Sequence, residues 1–89
     1  MKAIVTVIGP DRVGIMAEVC TLLAGLGVNV LDLSQTVMDG VFTMVTLVDT
    51  ATSDLTFDQV QESLAKGGEQ LGLSIRIQRQ DIFDAMHRI

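Results

Sequence analysis

The stretch Val28-Asn-Val-Leu-Asp-Leu-Ser-Gln-Thr-Val-Met38-Asp39-Gly40-Val41-Phe-Thr-Met-Val-Thr-Leu-Val48 decides the fold. Two β-rich runs flank an Asp-Gly pair, the pattern of a hairpin closed by a type I′ turn. That register pairs Met38 with Val41, then Val37 with Phe42, Gln35 with Met44, Leu33 with Thr46 and Leu31 with Val48. The pairs from Val37–Phe42 onward share a mostly apolar face, assigned to the core. Asp32, Ser34, Thr36 and Thr43 lie on the opposite face, with Val45 and Leu47 as its apolar members.

Working outward, Ala3 to Ile8 is a β-branched run bounded by Gly9-Pro10, which predicts a first strand. From Val13, apolar residues at Val13, Met16, Ala17, Cys20, Leu23 and Ala24 follow helical spacing. This helix should end at Gly25-Leu26-Gly27, where either glycine suits a left-handed cap. Downstream, Thr56 and Gln59 form a capping-box pattern, with Leu55 and Val60 placed as a hydrophobic staple. Phe57, Val60, Leu64 and Leu71 continue one face of this second helix, and Gly67-Gly68 is expected to kink or interrupt it. Leu73 to Gln78 alternates as a last strand, with Leu73, Ile75 and Ile77 facing inward. From Asp81 on, Ile82, Phe83, Met86 and Ile89 share a helical stripe.

The order is therefore β-α-β-β-α-β plus a short C-terminal helix. Its simplest packing is α+β and ferredoxin-like: a four-stranded antiparallel sheet with two helices on one face. The other face, with Thr6, Ser34, Thr36, Thr43, Arg76 and Gln78, stays open and more polar. Eighty-nine residues predict one domain, spanning 1–89. The chain is 48% hydrophobic, with mean hydropathy +0.46, more than so small an interior hides well. A homodimer is the expected outlet. The second strand would be an edge strand, and Val28 to Met38 carries neither Pro nor Lys to protect it. Two modes fit: edge pairing of this strand, or sheet-face packing with the C-terminal helices covering the faces.

Other classes are excluded by composition. One Cys forbids an intrachain disulfide and fits a reducing cytoplasm. No signal peptide is read at the N-terminus, and no apolar run reaches membrane-span length. The net charge of −5 disfavours nucleic acid, and three Phe with no Tyr or Trp give no base-stacking platform. No metal site and no cofactor is expected, since the first loop has no Cys. Cys20 and His87 supply no nucleophile–base pair, so no enzyme is expected. Cys20 and the methionines Met16, Met38, Met44 and Met86 read as core or interface filler.

The functional signal is Gly9-Pro10-Asp11-Arg12-Val13-Gly14-Ile15, a loop leading from the first strand into the first helix. Backbone N–H groups at a helix start lack partners and carry the positive dipole end, and Gly14 lets a ligand approach them. Together with Gly27-Val28-Asn29-Val30, this loop makes the chain resemble an ACT domain, and more closely the small stand-alone ACT proteins. The Asp-Arg-x-Gly-Ile pattern also resembles the ACT segments of formyltetrahydrofolate deformylases and of nitrogen-control uridylyltransferases. The resemblance implies binding of an amino acid at a subunit interface, with contacts from Asp11, Gly14, Ile15, Asn29 and Val30. Some family members have a neutral side chain at the position of Asp11; a carboxylate there favours a ligand's ammonium end.

Each of these residues has a plainer reading. Asp11 also suits the N-cap of the first helix, Gly14 close packing, and Asn29 the turn after Gly27. Arg12 reads as solvated. Two functions remain: a regulatory module sensing an amino acid or similar metabolite, read out by a partner protein, or a protein-association module with no small-molecule ligand.

Overall fold

The computed structural model describes residues 1–81. Strand β1 (Lys2–Pro10) leads through a loop into α1 (Ile15–Gly25), followed by β2 (Asn29–Met38), β3 (Val41–Asp49), α2 (Phe57–Leu71) and β4 (Ser74–Arg79). The strands form one antiparallel sheet in the order β2-β3-β1-β4. This is the expected ferredoxin-like arrangement, with β2 and β4 at the edges. The C-terminal helix expected from Ile82, Phe83, Met86 and Ile89 lies outside the described residues, as does His87.

The hairpin turn has positive φ at both Asp39 (52°) and Gly40 (76°), as a type I′ turn requires. Its register is the expected one from Met38–Val41 down to Leu33–Thr46. Beyond that it shifts. Val30, not Leu31, pairs with Val48, and Leu31 is the extra residue of a β-bulge between Val30 and Asp32. The bulge lets Val30 share the helix-facing side with Val48 while Asn29, opposite Asp49, shares the open side.

The core lies between the sheet and the helices. Ala3, Val5 and Val7 of β1, Phe42, Met44 and Val48 of β3, and Ile75 and Ile77 of β4 are buried against Ile15, Val19 and Leu23 of α1 and Val60 and Leu64 of α2. Burying each large side chain contributes about 1.5–3 kcal/mol before chain entropy is subtracted. Thr46 sits in the same layer, and its hydroxyl has no hydrogen-bond partner. Leaving such a group unpaired costs about 1–3 kcal/mol.

The inward face of α1 differs from the expected one. Ile15, Val19 and Leu23 are buried, whereas Ala17 and Ala24 are exposed and Met16 and Cys20 only partly covered. Between Ile15 and Gly25 only Glu18 and Thr21 are polar, so hydrophobicity alone fits more than one rotation of the helix. Of the two candidate glycines, Gly27 takes the left-handed position, with φ 73°.

Helix α2 opens with the expected capping box. The Gln59 backbone N–H donates to Thr56 Oγ1 (3.2 Å), and the Thr56 N–H donates to Gln59 Oε1 (2.9 Å). The helix does not break at Gly67-Gly68, contrary to expectation, but runs on to Leu71. Both glycines serve packing. A Cβ on Gly67 would stand 2.7 Å from Leu22 Cδ2, and one on Gly68 would stand 2.8 Å from the Leu73 carbonyl oxygen. Missing side chains here let α2 lie close against α1 and β4.

Candidate functional site

The β1–α1 loop is tied to the hairpin tip: the Asp11 backbone N–H donates to the Gly40 carbonyl at 2.9 Å. The Asp11 carboxylate is not the N-cap of α1. That position belongs to Gly14, whose left-handed backbone (φ 83°) starts the helix without any side-chain cap. Asp11 stands three residues too early, with its own backbone committed to the hairpin. Open space surrounds the position a Gly14 Cβ would occupy. The first turn of α1 is thus approachable along its axis, and no side chain satisfies its backbone donors.

Arg12 is not simply solvated. Its guanidinium donates to Glu18 Oε2 (2.8 Å) and to the Leu71 carbonyl (2.7 Å) at the C-terminal end of α2. One bond ends on Glu18 in the first turn of α1 and the other on α2, so Arg12 links the two helices. Ile15 has its side chain in the core, so only its backbone faces the loop. Val13 is fully exposed (102%), and Met38 (73%) and Val37 (54%) beside the hairpin tip are among the barest large apolar side chains. Sequence reading did not single out Val37, Met38 and Gly40 as neighbours of the loop. The hairpin register was available, but the β1–β3 pairing that sets Pro10 opposite Val41 was not.

Asn29 and Val30 lie at the other end of the sheet. Asn29 pairs with Asp49, which pairs in turn with Lys2 at the start of β1. β1 and β2 run in the same direction, so the length of a strand, roughly 30 Å, separates Asn29 from the Asp11 loop. Within one protomer Asp11, Gly14 and Ile15 come together, and Asn29 and Val30 come together, but the two groups do not meet.

The Asn29 end has its own polar fittings. Thr52 and Ser53 hydroxyls donate to the Gly27 and Leu26 carbonyls, at 2.7 and 2.6 Å, which ties the β3–α2 loop to the exit of α1. Asp49 accepts from the Ala51 backbone N–H (2.9 Å) and from the Met1 ammonium (3.2 Å). The first of these, then the second, holds its carboxyl below the usual carboxylate range. Away from both ends, a mostly apolar groove of about 400 Å³ runs between α1 and α2, floored by Leu22, Gly67 and Leu71. It carries no arrangement of acid, base and nucleophile. Among the described residues no three His, Cys, Asp or Glu side chains are grouped to hold a metal ion. No described helix is long and apolar enough to cross a membrane.

Comparison with known proteins agrees with this fold. The family model for the ACT domain matches residues 2–78. A UPF0237 protein of Clostridium acetobutylicum is 49% identical over 89 residues, covering all of both chains. An ACT domain protein from Streptococcus pneumoniae is 42% identical, covers 97% of each chain and superposes with a TM-score of 0.82. A formyltetrahydrofolate deformylase from Pseudomonas syringae is 26% identical over 88% of this chain but only 27% of its own, with a TM-score of 0.77. In that protein the shared fold is one part of a much longer chain. The family match spans most of the sequence and the full-length relatives match it end to end: the chain belongs to the ACT domain family.

Proposed function

We propose that this protein is a single-domain, cytoplasmic regulatory module, not an enzyme, that binds an amino acid or similar small metabolite at a homodimer interface. The observation that carries the reading is the start of α1: no side chain caps it, and Gly14 leaves its approach open. A ligand carboxylate would take the free backbone donors there. The Asp11 carboxylate nearby would take the ligand's ammonium group. Val13, fully exposed in the same loop, would flank its side chain. The separation of this group from Asn29 and Val30 supports the interface part of the proposal. One ligand cannot touch both groups within one protomer, so a second copy has to bring its Asn29 to the loop. Binding regulates a partner protein only if affinity differs between two states of the module.

A screen of the twenty amino acids by thermal shift, at fixed protein concentration, tests the reading. A ligand at about 100 times its Kd adds about 2.7 kcal/mol, which is roughly 10 °C or more for a domain of this size. Asn29→Ala is expected to abolish the shift while leaving the fold intact, because Asn29 is exposed. The exposed apolar side chains of Val13, Val37 and Met38 also favour a second reading, a protein-association module without a metabolite. A flat screen from a folded oligomer would select it.

A further inference from the structure

The open side of the sheet is not equally bare along its length. Ala3, Val5 and Val7 point to the helices, so Ile4 and Ile8 of the same strand point to the open side. Ile8 is 46% exposed, yet Ile4 is only 9% exposed. Ile4 belongs to the end of the sheet where β1 begins and β4 finishes. We propose that residues 82–89 fold back over this end as a helix and form a third layer, seating Ile82, Phe83, Met86 and Ile89 on Ile4, Val45 and Leu47. The inference does not depend on a ligand at the β1–α1 loop.

The surface beneath suits an apolar occupant. Ile4 stands opposite Leu47 of β3 on one side and Gln78 of β4 on the other, and Thr6 stands opposite Val45. A groove of about 180 Å³ lies here, floored by Ile4, Val45 and Leu47, with Asp32 and Ser34 of β2 on its far side. Towards the hairpin the floor changes. The residues opposite Ile8 are Thr43 and Ser74, which are smaller and polar.

The chain reaches the right place to fill that groove. β4 ends at Arg79, opposite Ala3, and Gln80 and Asp81 already have helical backbone. An ion pair of 2.8 Å between Arg79 and Asp81 spans the turn. From Gln80 to Ile89 a helix rises about 14 Å. Three strand spacings, from β4 across β1 and β3 to β2, also come to about 14 Å. The stretch is therefore long enough to cross the face and end over β2. Joined to the sheet by this turn alone, it meets its own face at an effective concentration that a second copy does not reach in micromolar protein.

Charge agrees with the direction of the crossing. Acids lead the segment, at Asp81 and Asp84, and bases close it, at His87 and Arg88. That is the order a helix dipole favours. The sheet has the complementary order: β4 carries Arg76 and Arg79, whereas the one charged residue of β2 is Asp32. One Asp32 oxygen, Oδ1, accepts from the Leu33 backbone N–H at 2.8 Å, which leaves Oδ2 to receive a cation. Crossing from β4 to β2 thus brings acids over arginines and bases over an aspartate.

Paramagnetic broadening of backbone amides in the full chain tests the proposal. A nitroxide is placed on Ala85→Cys, off the apolar stripe, in a Cys20→Ser background. Isotope-labelled, tagged protein is diluted into a large excess of unlabelled, untagged protein. The amides of Ile4 and Leu47 are expected to lose most of their intensity, and Gly40 at the hairpin tip to keep its own. Equal intensities at these three positions overturn the proposal. So does a loss at Ile4 that appears only when the tag and the isotope are on separate chains, which would put the segment on a second copy. Phe83→Asp in the tagged chain is expected to restore the Ile4 signal while Phe42 and Leu64 in the core keep their amide positions. Broadening that survives this change with the core intact overturns the seating through the apolar stripe.

Discussion

Helix α2 begins with Thr56 and Gln59 exchanging side-chain and backbone hydrogen bonds, whereas α1 begins at a left-handed glycine with no side-chain cap. Their inward faces are alike, since Leu23 and Leu64 are both almost wholly buried. The difference lies in the ends. Both ends of α2 are closed, the second by Gly72 in the left-handed conformation, with the Leu73 N–H donating to the Gly68 carbonyl at 2.8 Å. The start of α1 has no side-chain cap, and its Ile15 N–H donates only to the Arg12 carbonyl at 3.4 Å.

This contrast can be broken in graded steps. The largest effect is expected from cavities under either helix: Leu64→Ala and Leu23→Ala should each cost about 2–5 kcal/mol in denaturant unfolding, because neither site can collapse easily. Equal losses would mean that the two helices are anchored alike despite their unequal ends. Next comes Thr56→Ala, which removes the capping bond and should cost about 1 kcal/mol. Asp11→Ala, by contrast, should leave the unfolding midpoint within about 0.5 kcal/mol, as an exposed side chain that caps nothing. A loss comparable to that of Thr56→Ala would show that Asp11 supports α1 in solution. The smallest effect concerns acid. Asp49 is held below its ordinary value of 3.8, so its stabilising contribution is full above that value and disappears as the pH falls through the lowered one. Asp49→Asn should flatten that part of the stability profile, measured by thermal unfolding between neutral and acidic pH.

The features legible in the sequence were those whose causes are local. Asp39-Gly40 set the hairpin register, and Thr56 with Gln59 announced the start of α2, because turn and cap chemistry act over two to four residues. The rotation of α1 was not legible, since its composition is apolar nearly all round. Gly67 and Gly68 read as a weak point because their value lies in Leu22, Leu73 and Ile75, which are distant in sequence or on another element. Asp11 suited a cap as well as a ligand contact, because residue type cannot reveal that Gly14 turns left-handed and takes the N-cap position. The residues of the proposed site were picked out one by one. Their division between opposite ends of the sheet became visible only with the strand directions.

The bulge at Leu31 has a consequence for how this chain tolerates changes of length. The hairpin dictates one alternation of sides along β2, and the exit of α1, with Val28 buried, dictates another. The two are out of step by one residue, and Leu31 takes up the difference. Deleting it would leave a regular ladder, with Val30 still opposite Val48, Asp32 still opposite Leu47, and Val28 and Val37 on their present sides. Removing a matched pair of residues would shorten the strand and leave that alternation intact. Along β2, then, a single residue can be lost without turning a side chain over only at Leu31, where the ladder carries one to spare.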